Sequence, residues 1–185
     1  MIFIVYSIIL LCVLVFFFQD PWVIQNFAMV SGLFFSEPWR AVTSMFLHGD
    51  LTHILFNMFV LFMFGTVLER RVGVTWFLVI YFVSGICGSL GFELLSEPGV
   101  LAVGASGAIY GVLGALVVLA PRMTIYFYGI PMPMYIAGIV YAVIELLFLG
   151  RADNIAHSAH LLGLVGGFIT AKAYEYLSSS GEIKW

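Results

Sequence analysis

Asp153-Asn154-Ile155-Ala156-His157-Ser158-Ala159-His160-Leu161-Leu162-Gly163-Leu164-Val165-Gly166-Gly167 opens a run that stays largely apolar as far as Tyr176. From Ile155 to Tyr176 the run has the length, about 20 residues, that a helix needs to cross the hydrocarbon core of a bilayer. Gly163 and Gly167 form a small-xxx-small pair, which lets the backbone of a second helix come close. His160 stands one turn before Gly163 and so faces the same partner. The stretch therefore predicts a close helix contact inside a membrane with an ionisable ring held at it.

The rest of the chain agrees with a bilayer as its main solvent. Of 185 residues, 63% are hydrophobic and 9% charged, with a mean hydropathy of +1.11. Ten acidic and seven basic side chains are too few to cover a water-facing surface, which excludes an ordinary soluble enzyme and a disordered chain. A net charge of −3 gives no basic footprint for nucleic acid. Cys12 and Cys87 lie in apolar runs and make neither a disulfide framework nor a metal cluster.

Five further stretches have spanning length: about 2–18, 51–68, 74–95, 103–120 and 125–149, the last with Pro131 and Pro133 near its start. The first has no basic start and no obvious small-residue cleavage site, so it reads as a retained span and not a signal peptide. The expected fold is an all-α integral membrane protein, a bundle of six transmembrane helices forming one domain over residues 1–185. The connector 19–49 is too apolar for a simple loop and is expected to lie in the interface plane or dip into the membrane, anchored by Trp22 and Trp39. With six spans both termini lie on one side. Arg70, Arg71, Arg122, Lys172 and Lys184 fall on that side and Arg40 and Arg151 on the other, which puts both termini in the cytoplasm by the positive-inside rule. No internal repeat of the kind found in many secondary transporters is visible.

Polar residues at membrane depth are costly, so each calls for an explanation. His53 and Asn57 lie four apart on one face of the second span, a placement that serves interhelical hydrogen bonding as well as a site. Ser106, in Gly104-Ala105-Ser106-Gly107, stands where the fourth span begins. Gly107, Gly111 and Gly114 continue a small face along that helix, so close packing is one account of the serine. The other is chemical: at a helix start the backbone N–H groups are unpaired, and a serine there has oxyanion donors beside it. If the glycine face of the fourth helix meets Gly163 and Gly167, His160 meets Ser106. His157 reads as interfacial, and Asp153 as the N-cap of the sixth span, which leaves a serine–histidine dyad without an acid. Nucleophile, base and oxyanion donors are the parts of acyl-transfer chemistry.

At this point the chain resembles the rhomboid family of intramembrane serine proteases in its minimal six-span form. Four motifs fall in the family's order: Trp39-Arg40, His53-Ile54-Leu55-Phe56-Asn57, Gly104-Ala105-Ser106-Gly107 and Ala159-His160-Leu161-Leu162-Gly163. The resemblance implies that Ser106 attacks the scissile carbonyl of a substrate's transmembrane segment and that His160 takes and returns the proton. It implies that His53, Asn57 and the Ser106 N–H hold the oxyanion, and that the Tyr110 ring packs on the histidine. It also implies that Arg40 and Glu69 brace the first connector and the end of the second helix; a solvated surface charge is the alternative for Glu69. Neither a domain ahead of the first span nor a seventh span accompanies the match, so regulation that those supply elsewhere is expected to be missing.

The expected partners are transmembrane protein substrates and the bilayer, in a multi-pass protein of a prokaryotic plasma membrane. No cofactor is implied, because His48, His53, His157 and His160 show no ligand set with carboxylates or thiols at metal spacing. The rival is a non-catalytic rhomboid-like protein that binds transmembrane segments; such proteins lack the serine and histidine present here. A small channel or transporter using His53, Asn57 and His160 is a more distant alternative.

Overall fold

A computed structural model describes residues 4–127, 129–151 and 155–180. Helix α1 spans Ile4–Phe18, and its start is held by a residue far along the chain. Glu69 is buried and accepts hydrogen bonds from the backbone N–H groups of Ile4 at 2.9 Å and Val5 at 3.1 Å. First-turn N–H groups have no partner within their own helix, and the helix dipole favours a carboxylate there. The surface-charge alternative for Glu69 is thereby excluded. Glu69→Ala is expected to cost about 2 kcal/mol, in the range of charge-assisted hydrogen bonds. Thermal unfolding in detergent reads this; an unchanged midpoint would remove the capping role.

The first connector is folded. Asp20 caps α2 (Pro21–Phe27) through Val23 N–H, and strand β1 (Met29–Val30) pairs antiparallel with β2 (Leu101–Ala102). Helix α3 covers Arg40–Thr43. The buried Arg40 guanidinium donates to the carbonyls of Gln25 and Ala28 at 2.9 and 2.8 Å and pairs with Glu37. Trp22, Phe35 and Trp39 point outward from this framework, exposed.

Helix α4 (Leu51–Val60), capped by Asp50 through His53 N–H, passes through a π-helical turn at Leu61–Gly65 into α5 (Thr66–Leu95). The helix breaks at Gly73, where φ is +76°, a conformation that a side chain disfavours. Helix α6 covers Ser106–Leu119, α7 Met134–Leu147 and α8 His157–Ser179.

One expectation needs correction. The fifth apolar run does not begin as a helix: strands β3 (Thr124–Phe127) and β4 (Ile130–Pro133) form an antiparallel hairpin, and α7 starts only at Met134. Pro131 and Pro133 have no N–H to give a helix, and both suit an edge strand. Two short strand pairs join the helices of the bundle. The N-cap reading of Asp153 falls outside the described residues; α8 begins at His157 with Ala156 in the cap position.

Helices α5, α6 and α8 pack through small residues. A Cβ on Gly163 would collide with Gly107 O, one on Gly167 with Gly111 O, and one on Gly88 would come 2.8 Å from Ala159 O. Backbones therefore touch directly across α6 and α8. The outside is apolar, with Phe17, Phe18, Leu55, Phe59, Ile139 and Leu147 exposed, which suits hydrocarbon and not water. The helical stretch Leu51–Leu95 is long and apolar enough to cross a membrane; α1, α6 and α7 are apolar but shorter. The architecture is that of a helical membrane bundle.

Candidate active site

Ser106 is the first residue of α6, and its Oγ lies 2.8 Å from His160 Nε2 on α8. The glycine contacts between the two helices, including Gly107 against Gly163, set that separation. The turn before Ser106 is fixed by Gly104 N–H donating to Ser44 O at 2.9 Å. Gly104 has φ +130°, and a Cβ there would lie 2.8 Å from His53 Nε2. Only glycine lets the turn reach His53 in this way.

His53, near the start of α4, accepts from Gly49 N–H through Nδ1 at 3.4 Å. Asn57, one turn later, is buried; its Nδ2 donates to His53 O at 2.9 Å, and its Oδ1 has no partner among the described residues. Behind them His48 is fully buried with its ring edge on His53. Burial first, and the His53 charge second, lower the His48 pKa to about 4, so this ring is neutral at physiological pH. A cavity of ≈ 40 Å³ beside Ser106 is lined by Ser44, Gly88, Gly104, Ala156 and Ala159 among others. That is room for a water or a methyl-sized group.

Tyr110, one turn into α6, stacks on the His160 ring with centroids 4.3 Å apart and planes within 6°. Its hydroxyl donates to Glu145 of α7. Glu145 is the residue that motif spacing misses. Its carboxylate, 3% exposed, lies 3.1 Å from His160 Nδ1 and 2.6 Å from His157 Nδ1. Sequence spacing places no acid beside His160; the structure brings a carboxylate from the fifth apolar run within hydrogen-bond reach of its Nδ1. His157 is buried against Glu145 and stacked on Phe148 at 5.6 Å, a packed position that sequence spacing does not suggest. A signal was available, since a lone carboxylate inside an apolar span marks a functional position by default.

Glu145, His157 and His160 offer one ligand atom each within 4.8 Å of one another. Sequence spacing does not reveal this set, and both of its histidines are hydrogen-bonded to Glu145. Of the sequence-derived candidates, Ser106, His160, Tyr110, His53, Gly104, Gly107 and Gly163 meet at one place. Gly167 sits one turn further along α8, and Trp39 and Arg40 belong to the connector framework.

The family profile described as "Rhomboid domain" matches residues 35–176. Three curated proteins are similar to the chain. YdcA of Bacillus subtilis, named provisionally as a rhomboid protease, is 36% identical over 138 residues, which cover 75% of this chain and 68% of that protein. Rhomboid protease GluP of the same organism is 39% identical over 140 residues, 74% of this chain and 26% of that one. Rhomboid protease GlpG of Haemophilus influenzae is 33% identical over 141 residues, covering 74% and 72%. The chain thus spans about two thirds of YdcA but about a quarter of the longer GluP.

Proposed function

The chain belongs to the rhomboid family of intramembrane serine proteases, and on that premise we propose that it cleaves transmembrane segments of membrane proteins with Ser106 as nucleophile and His160 as general base. The observation that carries this is the 2.8 Å contact between Ser106 Oγ and His160 Nε2 at a helix start. Ser106 Oγ attacks the scissile carbonyl carbon while His160 Nε2 takes its proton. Collapse of the tetrahedral intermediate breaks the C–N bond, and the amine leaves with the proton from His160. Water, activated by the same ring, then hydrolyses the acyl-enzyme. Ser106 N–H, His53 and Asn57 are the oxyanion donors, each worth a few kcal/mol in the transition state. Asn57 would have to turn its amide from the His53 carbonyl toward the substrate.

The reading extends to topology: one membrane domain of six spans, both termini cytoplasmic, in a prokaryotic plasma membrane. Helix α6 has 14 residues, about 21 Å of rise against a hydrocarbon core of about 30 Å. If its far end reaches the opposite interface, Ser106 starts several ångströms below the near one. A substrate helix must unwind locally to expose its carbonyl, so residues that weaken helices near the cut favour cleavage.

The test is cleavage of a single-span substrate by the purified protein in detergent or lipid, with a serine-directed phosphonate applied in parallel. Cleavage, slower when leucines replace glycine or proline near the cut, and a label mapping to Ser106 are expected. A folded protein that cleaves nothing and takes no label overturns the proposal in favour of the non-catalytic binder.

A further inference from the structure

Glu145 asks for a physical account beyond packing. A carboxylate 3% exposed inside a membrane bundle is costly unless several donors satisfy it. Three are present, all aromatic side chains: the Tyr110 hydroxyl, His157 Nδ1 and His160 Nδ1. Each comes from α6 or α8, the helices that also supply Ser106 and His160.

The consequence for His160 is a matter of tautomers. A carboxylate can only accept, so its contact at Nδ1 requires the proton to sit there. Nε2 is then the bare nitrogen, and it is Nε2 that faces Ser106 Oγ at 2.8 Å. A base must present that lone pair to take the serine proton, and a neighbouring negative charge stabilises the imidazolium that results. Tyr110 adds a second constraint, since its ring lies flat on His160 while its hydroxyl holds the same carboxylate. Ring face, ring tautomer and carboxylate orientation are thus fixed together. His157, one turn before His160, occupies the other carboxylate oxygen and keeps it from rotating away.

We propose that Glu145 is the positioning acid of a Ser106–His160–Glu145 relay, with Tyr110 and His157 holding its carboxylate. The proposal rests on the protease reading above and adds to it a third member supplied by α7. It also gives His157 a role, that of a second donor to the acid and not a competing base.

The tautomer is read without substrate, by nitrogen NMR of the imidazoles in the detergent-solubilised protein. His160 is expected as the Nδ1–H form in the parent; the Nε2–H form there would overturn the proposal even if the protein is a protease. Glu145→Gln is expected to lower kcat by about 10²-fold or more, as loss of the acid does in serine proteases, with KM within about twofold. The variant's His160 should populate the Nε2–H form. Glu145→Asp, which keeps the charge, should recover at least tenfold of the loss. Should Glu145→Gln not fold, the aspartate variant and the parent tautomer decide. Parent kcat in a folded Gln variant, or a loss with no change of tautomer, reduces Glu145 to a structural residue. Cleavage that survives Ser106→Ala instead defeats the underlying protease mechanism and leaves the tautomer result standing.

Discussion

Replacing Ser106 with alanine is expected to lower cleavage of a single-span membrane substrate by at least about 10³-fold, to the background of the assay, in a protein that remains folded. The two halves of that statement have separate grounds. The chemical half follows from the contact with His160 Nε2: without Oγ there is no atom to form the acyl-enzyme, and oxyanion donors and substrate binding alone give the residual rate. The structural half follows from position. Ser106 begins α6, alanine is the best helix former, and the substitution gives up one hydrogen bond with a net worth of about 1 kcal/mol. His160→Gln, which keeps more of the side-chain bulk beside Tyr110 than alanine would, should fall to a similar level. The double variant should fall no further than the single ones, since members of one catalytic unit are not additive. Retention of a tenth or more of the parent rate by Ser106→Ala, measured on protein with an unchanged thermal midpoint, would remove the serine from the mechanism.

What could be read from the sequence divides along physical lines. Apolar length and small-residue spacing act locally along one helix, and these made the α6–α8 pairing, and with it the meeting of Ser106 and His160, legible from Gly163, Gly167 and the glycines after Ser106. Glu69 and Glu145 were harder to place for one shared reason. Each is a carboxylate whose partners lie far away in the chain, at Ile4 and Val5 for Glu69 and at Tyr110, His157 and His160 for Glu145. No periodicity encodes such a contact. The hairpin at Thr124–Pro133 was hidden differently: its residues are apolar enough to pass for a span, and only the two prolines argued against a helix. The burial of His157 is not legible from glycine spacing, because Glu145 and Phe148, not a small-residue face, draw that ring inside.

Gly167→Val is expected to destabilise the bundle by more than about 3 kcal/mol, above the usual cost of overpacking. The ordinary case allows a neighbouring side chain to move, but here the neighbour is the backbone of α6: an added Cβ would run into Gly111 O, C and Cα. A carbonyl in a helix can yield only if the whole helix yields, so α6 and α8 must separate along their length. Gly163→Ala makes the same collision with Gly107, one residue beyond Ser106. Its expected effect is therefore double, a lower thermal midpoint and a cleavage rate down by about 10²-fold or more, because an ångström of misplacement between reacting groups has that effect. Val165→Ala, on the exposed side of α8, should stay within about 1 kcal/mol of the parent. A Gly163→Ala protein with parent stability and rate would mean that backbone contact between α6 and α8 does not set the distance from His160 to Ser106. The small residues would then be incidental to the site, and the position of the base would have to come from the other side, through Tyr110 and Glu145.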